Sequence, residues 1–349
     1  MKIVSPPNGA GWAGGDEYLQ SLNEILKIIE LENTHDVYWY RNKNLFPKWL
    51  STLQGFMKID KFLRKLFYSN LGFNIPLPMT KFSRKSFFWI PDLQDVESPE
   101  MFTEEEILHR KDLRNNAIKN KYLIYFSSKH AMKIFSDLQQ SPTSYGLLRF
   151  STSPEKLKDY GQSPLSCDDC QKRGYFYLPN QWWKHKNHIR TLNAYIQYRS
   201  NGGKLHLVLS GKREDYRWPD YYKSVETLIN LCNQDVHDLG FLERKAQLSV
   251  LFAAKIVLQT SLYEGWSTTV EESLVSGKVL VVSDLPVFIE QAKEERNIVF
   301  VDPFSIDSIF QGMSLAEKLK PFPRDLYWRW NRFEKDFKQL LKLAEGDLS

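Results

Sequence analysis

From residue 175 onward the chain alternates between two rhythms of apolar and polar residues. Short, nearly continuous apolar runs recur at 175–178, 205–210, 236–239, 255–259, 279–283 and 297–301. Between them, apolar residues return every three or four positions, the mark of helices, at 220–232, 240–254, 267–276 and 306–315. Strands alternating with helices predict a parallel, doubly wound sheet. The final LYWRWNRFEKDFKQLLKLAE is helical in the same sense, with Trp328, Phe333, Phe337 and Leu341 on one stripe.

The first half repeats the alternation less densely. An apolar run at 2–5 leads through a glycine-rich segment to Tyr18, Leu22, Ile25, Leu26 and Ile29 at helical spacing. Residues 36–41, 86–91, 122–127 and 146–150 read as strands, and SSKHAMKIFSDL reads as a helix. Residues 103–119 form a charged helix opened by a capping box of Thr103 and Glu106. Residues 151–173, rich in Ser, Pro, Asp and Lys, read as the linker between two domains.

A chain of 349 residues has room for two such domains, each with its own core. No apolar run approaches the length of about 18 residues that spans a bilayer, and the N-terminus lacks a signal peptide's apolar core. The expected place is therefore the cytosol or the inner face of the cytoplasmic membrane. A net charge of +5 is too small to point to nucleic acid, but its distribution is uneven. Within 46–85, Lys48, Lys58, Lys61, Arg64, Lys65, Lys81, Arg84 and Lys85 face only Asp60, interleaved with Trp49, Phe56, Phe62 and Phe67. Such a stretch can lie on an anionic membrane, at about 1 kcal/mol per well-placed cation, or can be an ordinary core helix with lysines in water. Cys167, Cys170 and Cys232 make no disulfide framework, and no second pair completes a zinc site around the CxxC.

Candidate chemistry gathers in 260–286, TSLYEGWSTTVEESLVSGKVLVVSDLP. Glu264 and Gly265 end a loop, a helix opens at Ser267, Thr268 and Thr269, and Gly277 stops it. The unpaired amides of such an opening, with the positive end of the helix dipole, suit phosphate oxygens. At about 100° per residue, Val270 and Leu274 share a face, and Glu272 stands opposite over Thr268. A second strand ends in GKRED, where Lys212 and Arg213 could meet phosphate. Gly14 and Gly15, in a strand-to-helix loop, would let backbone approach a ligand closely.

Glu264 and Glu272, with seven residues between them in EGWSTTVEE, resemble the E-x7-E signature of retaining glycosyltransferases of family 4, which have the GT-B fold. The resemblance covers most of 174–302 and only patches of the first half. It implies two Rossmann-like domains facing across a cleft, with a C-terminal helix crossing back to the N-terminal domain. The corresponding division is 1–165 for the acceptor-binding domain, 166–322 for the nucleotide-sugar-binding domain and 323–349 for the returning helix. In the family the second Glu holds the donor ribose and the first lies beside the donor sugar and diphosphate. Gly14, Gly15 and Tyr18 resemble the family's GG-x-x-x-Y opening, with Asp16 as the helix cap. The segment PNQWWKHKNH takes the place of G-R-L-x-x-x-K-G: Lys186 matches the Lys, while Asn180 and Gln181 replace Gly and Arg. One strong cation is thus missing, and Lys184, Lys212 or Arg213 could replace it. Phe241 and Leu242, in GFL, would lie beside the base. Asp92 and Gln94 fit an I-P-D-F-Q-H segment near the acceptor, but Asp95 stands where His is expected.

The resemblance implies transfer of a sugar from a nucleotide-diphosphate sugar to a glycan or lipid-linked acceptor, as in bacterial surface polysaccharide synthesis. Configuration would be retained, with no metal and no cofactor beyond the donor. Glu264, Lys186, Asp92 and Asp95 are the candidate catalytic residues. Gly14, Gly15, Gln181, Lys212, Arg213, Phe241, Leu242, Gly265, Ser267, Thr268, Thr269 and Glu272 are the candidate donor contacts. Two alternatives stay open: a catalytically silent homologue that binds or scaffolds, favoured by Asp95 and Gln181, and a sugar phosphorylase or nucleotide-sugar epimerase on the same fold.

Overall fold

The computed structural model describes residues 2–4, 13–32, 36–38, 87–139, 145–158, 163–322, 325 and 327–345. The basic stretch 46–85 lies outside the described residues. The chain divides into two compact units. One comprises Met1–Leu93, Leu108–Ser151 and Asn331–Ser349; the other comprises Gln94–Ile107 and Thr152–Trp330.

In the first unit, β1 (Lys2–Val4) and β2 (Asp36–Tyr38) pair in parallel, with α1 (Ala13–Leu31) between them in the chain. A second parallel sheet places β3 (Phe87–Ile90), β4 (Leu123–Phe126) and β5 (Tyr145–Leu147) side by side in that order. In the chain, β3 and β4 are separated by the short α2 (Gln94–Glu97) and the longer α3 (Glu104–Lys119), of which α2 and the first turn of α3 belong to the second unit, and α4 (Lys129–Leu138) separates β4 from β5. The capping box is present: the Thr103 amide donates to Glu106 Oε2 at 2.9 Å, and the Glu106 amide to Thr103 Oγ1 at 3.2 Å. Tyr18 stacks on Trp89 at 4.0 Å, and Leu22, Ile25, Leu26, Phe126 and Phe135 are buried. Gly14 and Gly15 lie in the first turn of α1, not in a preceding loop, and Asp16 is inside the helix instead of capping it. The helical register set by Tyr18 and Leu22 extends back through two residues whose lost chain entropy would favour a loop.

The second unit is built on a six-stranded sheet of order β11-β10-β9-β6-β7-β8, with parallel pairing between every two neighbouring strands. Its strands are β6 (Tyr175–Pro179), β7 (His206–Ser210), β8 (Val236–Asp238), β9 (Ile256–Gln259), β10 (Val279–Ser283) and β11 (Ile298–Val301). Both faces are apolar, which explains the continuous runs in the sequence. Phe176, Leu178, Leu207, Leu209, Ile256, Leu258 and Val281 point to one core, closed by α6 (His188–Ser200), α7 (Tyr221–Leu231) and α11 (Ile306–Ala316). The alternate residues Tyr177, Val208, Val257, Leu280 and Val282 point to the other. That core is closed by α8 (Arg244–Ala253), α9 (Thr268–Val275) and α10 (Pro286–Ala292).

Three features depart from the sequence reading. Part of the expected linker is a helix, α5 (Asp168–Arg173), whose Cys170 is fully buried. The helix α10 opens with Pro286, after the N-cap Leu285, in a stretch with no clear helical rhythm. In the terminal helix α12 (Trp328–Glu345), the buried stripe is Trp330, Phe333, Phe337, Leu340, Leu341 and Ala344, with Trp328 off it.

Candidate functional site

The order of the second unit's sheet reverses between β6 and β9, which lie side by side with Phe176 opposite Ile256 and Tyr177 opposite Val257. In open parallel sheets, the crevice beyond the carboxyl ends of the strands at such a reversal is the preferred ligand site. Here the loop after β6, 180–187, meets the loop after β9, 260–267. The Leu262 amide donates to the His185 carbonyl at 2.7 Å. Asn187, in left-handed backbone with φ 62°, donates through Nδ2 to the carbonyls of Thr260 (2.9 Å) and Pro303 (2.7 Å). These ties bring Lys186 Nζ to 2.6 Å from Glu264 Oε1, with both side chains mostly buried. Ser261 Oγ donates to the same Glu264 oxygen at 2.8 Å. An ammonium has three donors, and Glu264 uses one of Lys186's.

The opening of α9 lies in the same loop. Ser267 is the N-cap, its hydroxyl accepting from the Val270 amide at 3.3 Å. The Ser267 amide donates to Gln291 Oε1 at 3.4 Å, and Gln291 Nε2 donates back to the Ser267 carbonyl at 3.1 Å. Of the three amides expected to meet phosphate, that of Ser267 is therefore occupied. The first helical bond runs from the Glu271 amide to Ser267, so the amides of Thr268 and Thr269 have no acceptor within the helix. Thr268 is half-buried and Thr269 buried.

α9 is buried on every side, which its amphipathic reading did not anticipate, so both adjacent glutamates need cations. Glu272 is held by Arg244, whose Nη1 donates to Oε2 at 3.2 Å and whose Nη2 reaches Oε1. Glu271, completely buried, accepts from Arg329 Nη1 at 2.9 Å and from Gln291 Nε2 at 3.2 Å. Arg244 and Arg329 were invisible in the sequence because each lies far from its glutamate along the chain. Gln291 and Asn187 carried no local signal either, since each acts through backbone of a distant loop.

The loops after β7 and β8 complete this edge. Gly211 has φ +148°, and a Cβ there would stand 2.1 Å from the Asn180 carbonyl oxygen. Only glycine lets the β6 and β7 loops approach this closely. The Trp182 amide bonds the Lys212 carbonyl at 2.9 Å, so Gln181 lies inside this junction. Of the three cations expected to replace a missing arginine, Arg213 pairs with Asp238 at 2.6 Å and Lys184 sits 3.3 Å over the Trp218 ring. Lys212 is half-exposed, 3.8 Å from Glu214 and 5.9 Å from the centre of the Phe241 ring. Phe241 is exposed beside it, whereas Leu242 packs partly into the core. Gly265 is half-buried between Glu264 and the α9 opening.

The remaining candidates fall elsewhere. Gly14, Gly15 and Asp92 belong to the first unit, where Arg110 Nη1 holds Asp92 Oδ1 at 2.8 Å. Asp95 belongs to the second unit and is buried in α2. The segment bearing it is fastened to the β7 loop: Arg217 Nη1 donates to the Met101 carbonyl at 3.1 Å, and Tyr216 donates to Glu106. The reading that nothing completes the Cys167–Cys170 motif is corrected by His206 and His237. Each offers a ring nitrogen within 4.8 Å of the cysteine sulfurs and of the other's.

Residues 171–330 match the family model of glycosyl transferases group 1. A sucrose-phosphate synthase from Thermosynechococcus elongatus superposes with a TM-score of 0.62 at 13% identity, over 99% of each chain. A UDP-forming trehalose-phosphate synthase from Burkholderia xenovorans gives 0.54 at 14% identity, over 74% of this chain and 64% of that one. The E. coli trehalose-6-phosphate protein bound with UDP-2-fluoro glucose gives 0.52 at 14%, over 73% and 64%. The chain thus spans 64% of the length of the Burkholderia enzyme it matches. No curated protein matches in sequence. The fold is GT-B, with Rossmann-like α/β architecture, as the sequence resemblance implied.

Proposed function

We propose that the protein is a retaining glycosyltransferase that moves a sugar from a nucleotide-diphosphate sugar to an acceptor hydroxyl. The observation that carries this reading is the Lys186–Glu264 pair at the sheet's reversal, beside the two open amides of α9. As the bond from sugar C1 to the diphosphate oxygen breaks, negative charge grows on the leaving phosphate. Lys186 and the amides of Thr268 and Thr269 are suited to stabilise it, and Lys212 can supply the second cation. The acceptor oxygen attacks C1 on the face the phosphate leaves, and its proton passes to the departing phosphate oxygen. Glu264 positions Lys186 and lies beside the sugar. It is poorly suited as a covalent nucleophile, because its Oε1 already accepts from Lys186 and Ser261. Arg244 and Glu272 form the ribose end of the site, with Phe241 and Leu242 beside the base.

No divalent ion is required in this scheme, so turnover is expected without added metal. The proposed acceptor is a glycan or a lipid-linked glycan at the inner face of the cytoplasmic membrane, supported by the basic, aromatic stretch 46–85. No helix among the described residues is long and apolar enough to cross a membrane, so contact would be peripheral. The structural neighbours are sugar-phosphate synthases, and a sugar phosphate is the acceptor to set against the lipid-linked one.

The test is transfer from a panel of nucleotide sugars to both acceptor classes, with the anomer assigned by NMR. The expected result is a retained anomer, with turnover lost in Glu264→Ala and lowered about 100- to 1,000-fold in Lys186→Met. Donor binding without turnover across the panel would favour the silent homologue, which is motivated by Gln181 replacing an arginine and by the carboxylate already paired with Arg213.

A further inference from the structure

We propose that Cys167, Cys170, His206 and His237 form a structural zinc site that fastens α5 to the edge of the six-stranded sheet. The site is independent of the sugar-transfer reading and lies away from the donor loops. His206 opens β7 at its amino end, whereas Lys186 and Glu264 follow the carboxyl ends of β6 and β9. The β7–β8 register sets Val208 opposite His237. His206, two residues before Val208, therefore shares a sheet face with His237. Val208 and Cys170 belong to the same core cluster, so α5 covers that face and delivers its CxxC to the two imidazoles.

The four donor atoms lie within 4.8 Å of one another. His206 Nδ1 stands 3.2 Å from His237 Nε2, and Cys167 Sγ stands 3.6 Å from the same nitrogen. A tetrahedral zinc ion with ordinary bond lengths separates two nitrogens by about 3.3 Å and a nitrogen from a sulfur by about 3.6 Å, which these pairs match, whereas the two sulfurs, bonded to each other here, must be reduced and part to about 3.7 Å. The outer partners fit as well. His206 Nε2 meets Asp169 Oδ2 at 2.9 Å, an arrangement that fixes its tautomer and turns Nδ1 to the site. Arg173 Nε holds the other oxygen of Asp169 at 2.8 Å. The Cys170 amide donates to Cys167 Sγ at 3.0 Å, a bond that stabilises a thiolate.

Two thiolates and two imidazoles in a closed, mostly buried set select zinc over harder cations and leave no position for a reacting water. Cys167 and Cys170 are joined as a disulfide in this structure; a thiol reductant, itself oxidised, supplies the two electrons and two protons that open it, and zinc then displaces the two thiol protons. The metal would hold β8, which among the described residues is an edge strand paired with β7, against the body of the unit. The state seen here, with that disulfide formed and His206 and His237 linked by an N–H···N bond, is the oxidised form that competes with the metal.

The experiment uses the full chain purified under a thiol reductant. Elemental analysis is expected to find one zinc per chain. After removal of the metal, titration with cobalt(II) alone should give the absorption of a tetrahedral ion with thiolate charge-transfer bands. Zinc added back should displace the cobalt and raise Tm. Asp169→Asn should weaken zinc binding about 10- to 100-fold while keeping the tetrahedral spectrum, and His206→Ala should lose that spectrum. The proposal fails if the reduced wild-type chain holds no zinc and gives no thiolate–cobalt bands, a result that does not depend on any variant folding. It also fails if His206→Ala and His237→Ala bind cobalt with the wild-type spectrum and affinity.

Discussion

Glu271 is completely buried, and Arg329, itself only 2% exposed, is its cation. The same guanidinium donates to the Gln291 carbonyl at 2.7 Å and to Glu295 at 2.9 Å, so one residue binds α9, α10 and the turn beyond α10 together. Removing one partner of a buried pair costs far more than removing both, because a charge taken out of water keeps its desolvation penalty without its compensation. Arg329→Met should therefore lower stability by about 3–5 kcal/mol in denaturant unfolding, and adding Glu271→Leu should recover a substantial part. His188 poses the opposite problem. It is fully buried at the start of α6 between Trp182 and Tyr221, and burial, aided by nearby Lys186, pushes its pKa from 6.5 down to about 3. Between those values the unfolded chain binds a proton that the native chain refuses, so stability is intact above pH 6.5 and falls as the pH drops towards 3. The expected slope is about 1.4 kcal/mol per pH unit from this residue, and His188→Gln should flatten the acid limb of urea-unfolding curves by that amount.

At the scale of elements, the candidate site depends on how the β6 and β9 loops are tied. Asn187 does this with a left-handed backbone and two bonds from one amide group. Asn187→Ala loses the bonds and strains the backbone, whereas Asn187→Gly loses the bonds alone. The alanine variant should be less stable by about 1 kcal/mol, and both should raise the KM for donor, because Lys186 precedes this residue. This element was only half legible in the sequence. The strands were readable because both sheet faces are apolar, and the 103–119 helix because its capping box is local. Lys186 and Glu264 were found through motif resemblance, since residues 78 apart have no rhythm in common. The burial of α9 was not readable, because two adjacent glutamates imitate a solvent face unless Arg244 and Arg329 are known to cover them. The helix α5 was hidden by a polar composition that suits a linker equally well. Its cysteines gained partners only when the sheet register brought His206 beside His237.

For the molecule as a whole, α12 is the element shared between the two units. Its first turn, with Arg329 and Trp330, belongs to the second, and from Asn331 it belongs to the first. Within the first unit, Phe333 meets Phe150 at 6.0 Å and Tyr18 at 6.3 Å between ring centres. Arg149 clasps Asp336 through Nε at 2.8 Å and Nη2 at 2.9 Å, and its backbone amide reaches the same carboxylate at 3.2 Å. Gly146 on β5 leaves room for Leu340, whose Cδ1 would stand 2.6 Å from a Cβ at that position. A helix seated so closely contributes a large share of that unit's core, and truncating a buried aromatic there leaves a cavity that rigid neighbours cannot fill. Phe337→Ala is thus expected to cost about 3–5 kcal/mol in the first unit. Because the second unit has two core clusters of its own, to which Phe337 does not belong, the loss should be local. Hydrogen exchange should show faster exchange through β3, β4 and β5 with β6, β7 and β9 unchanged. Equal acceleration in both sheets would instead mean that the two units unfold as one.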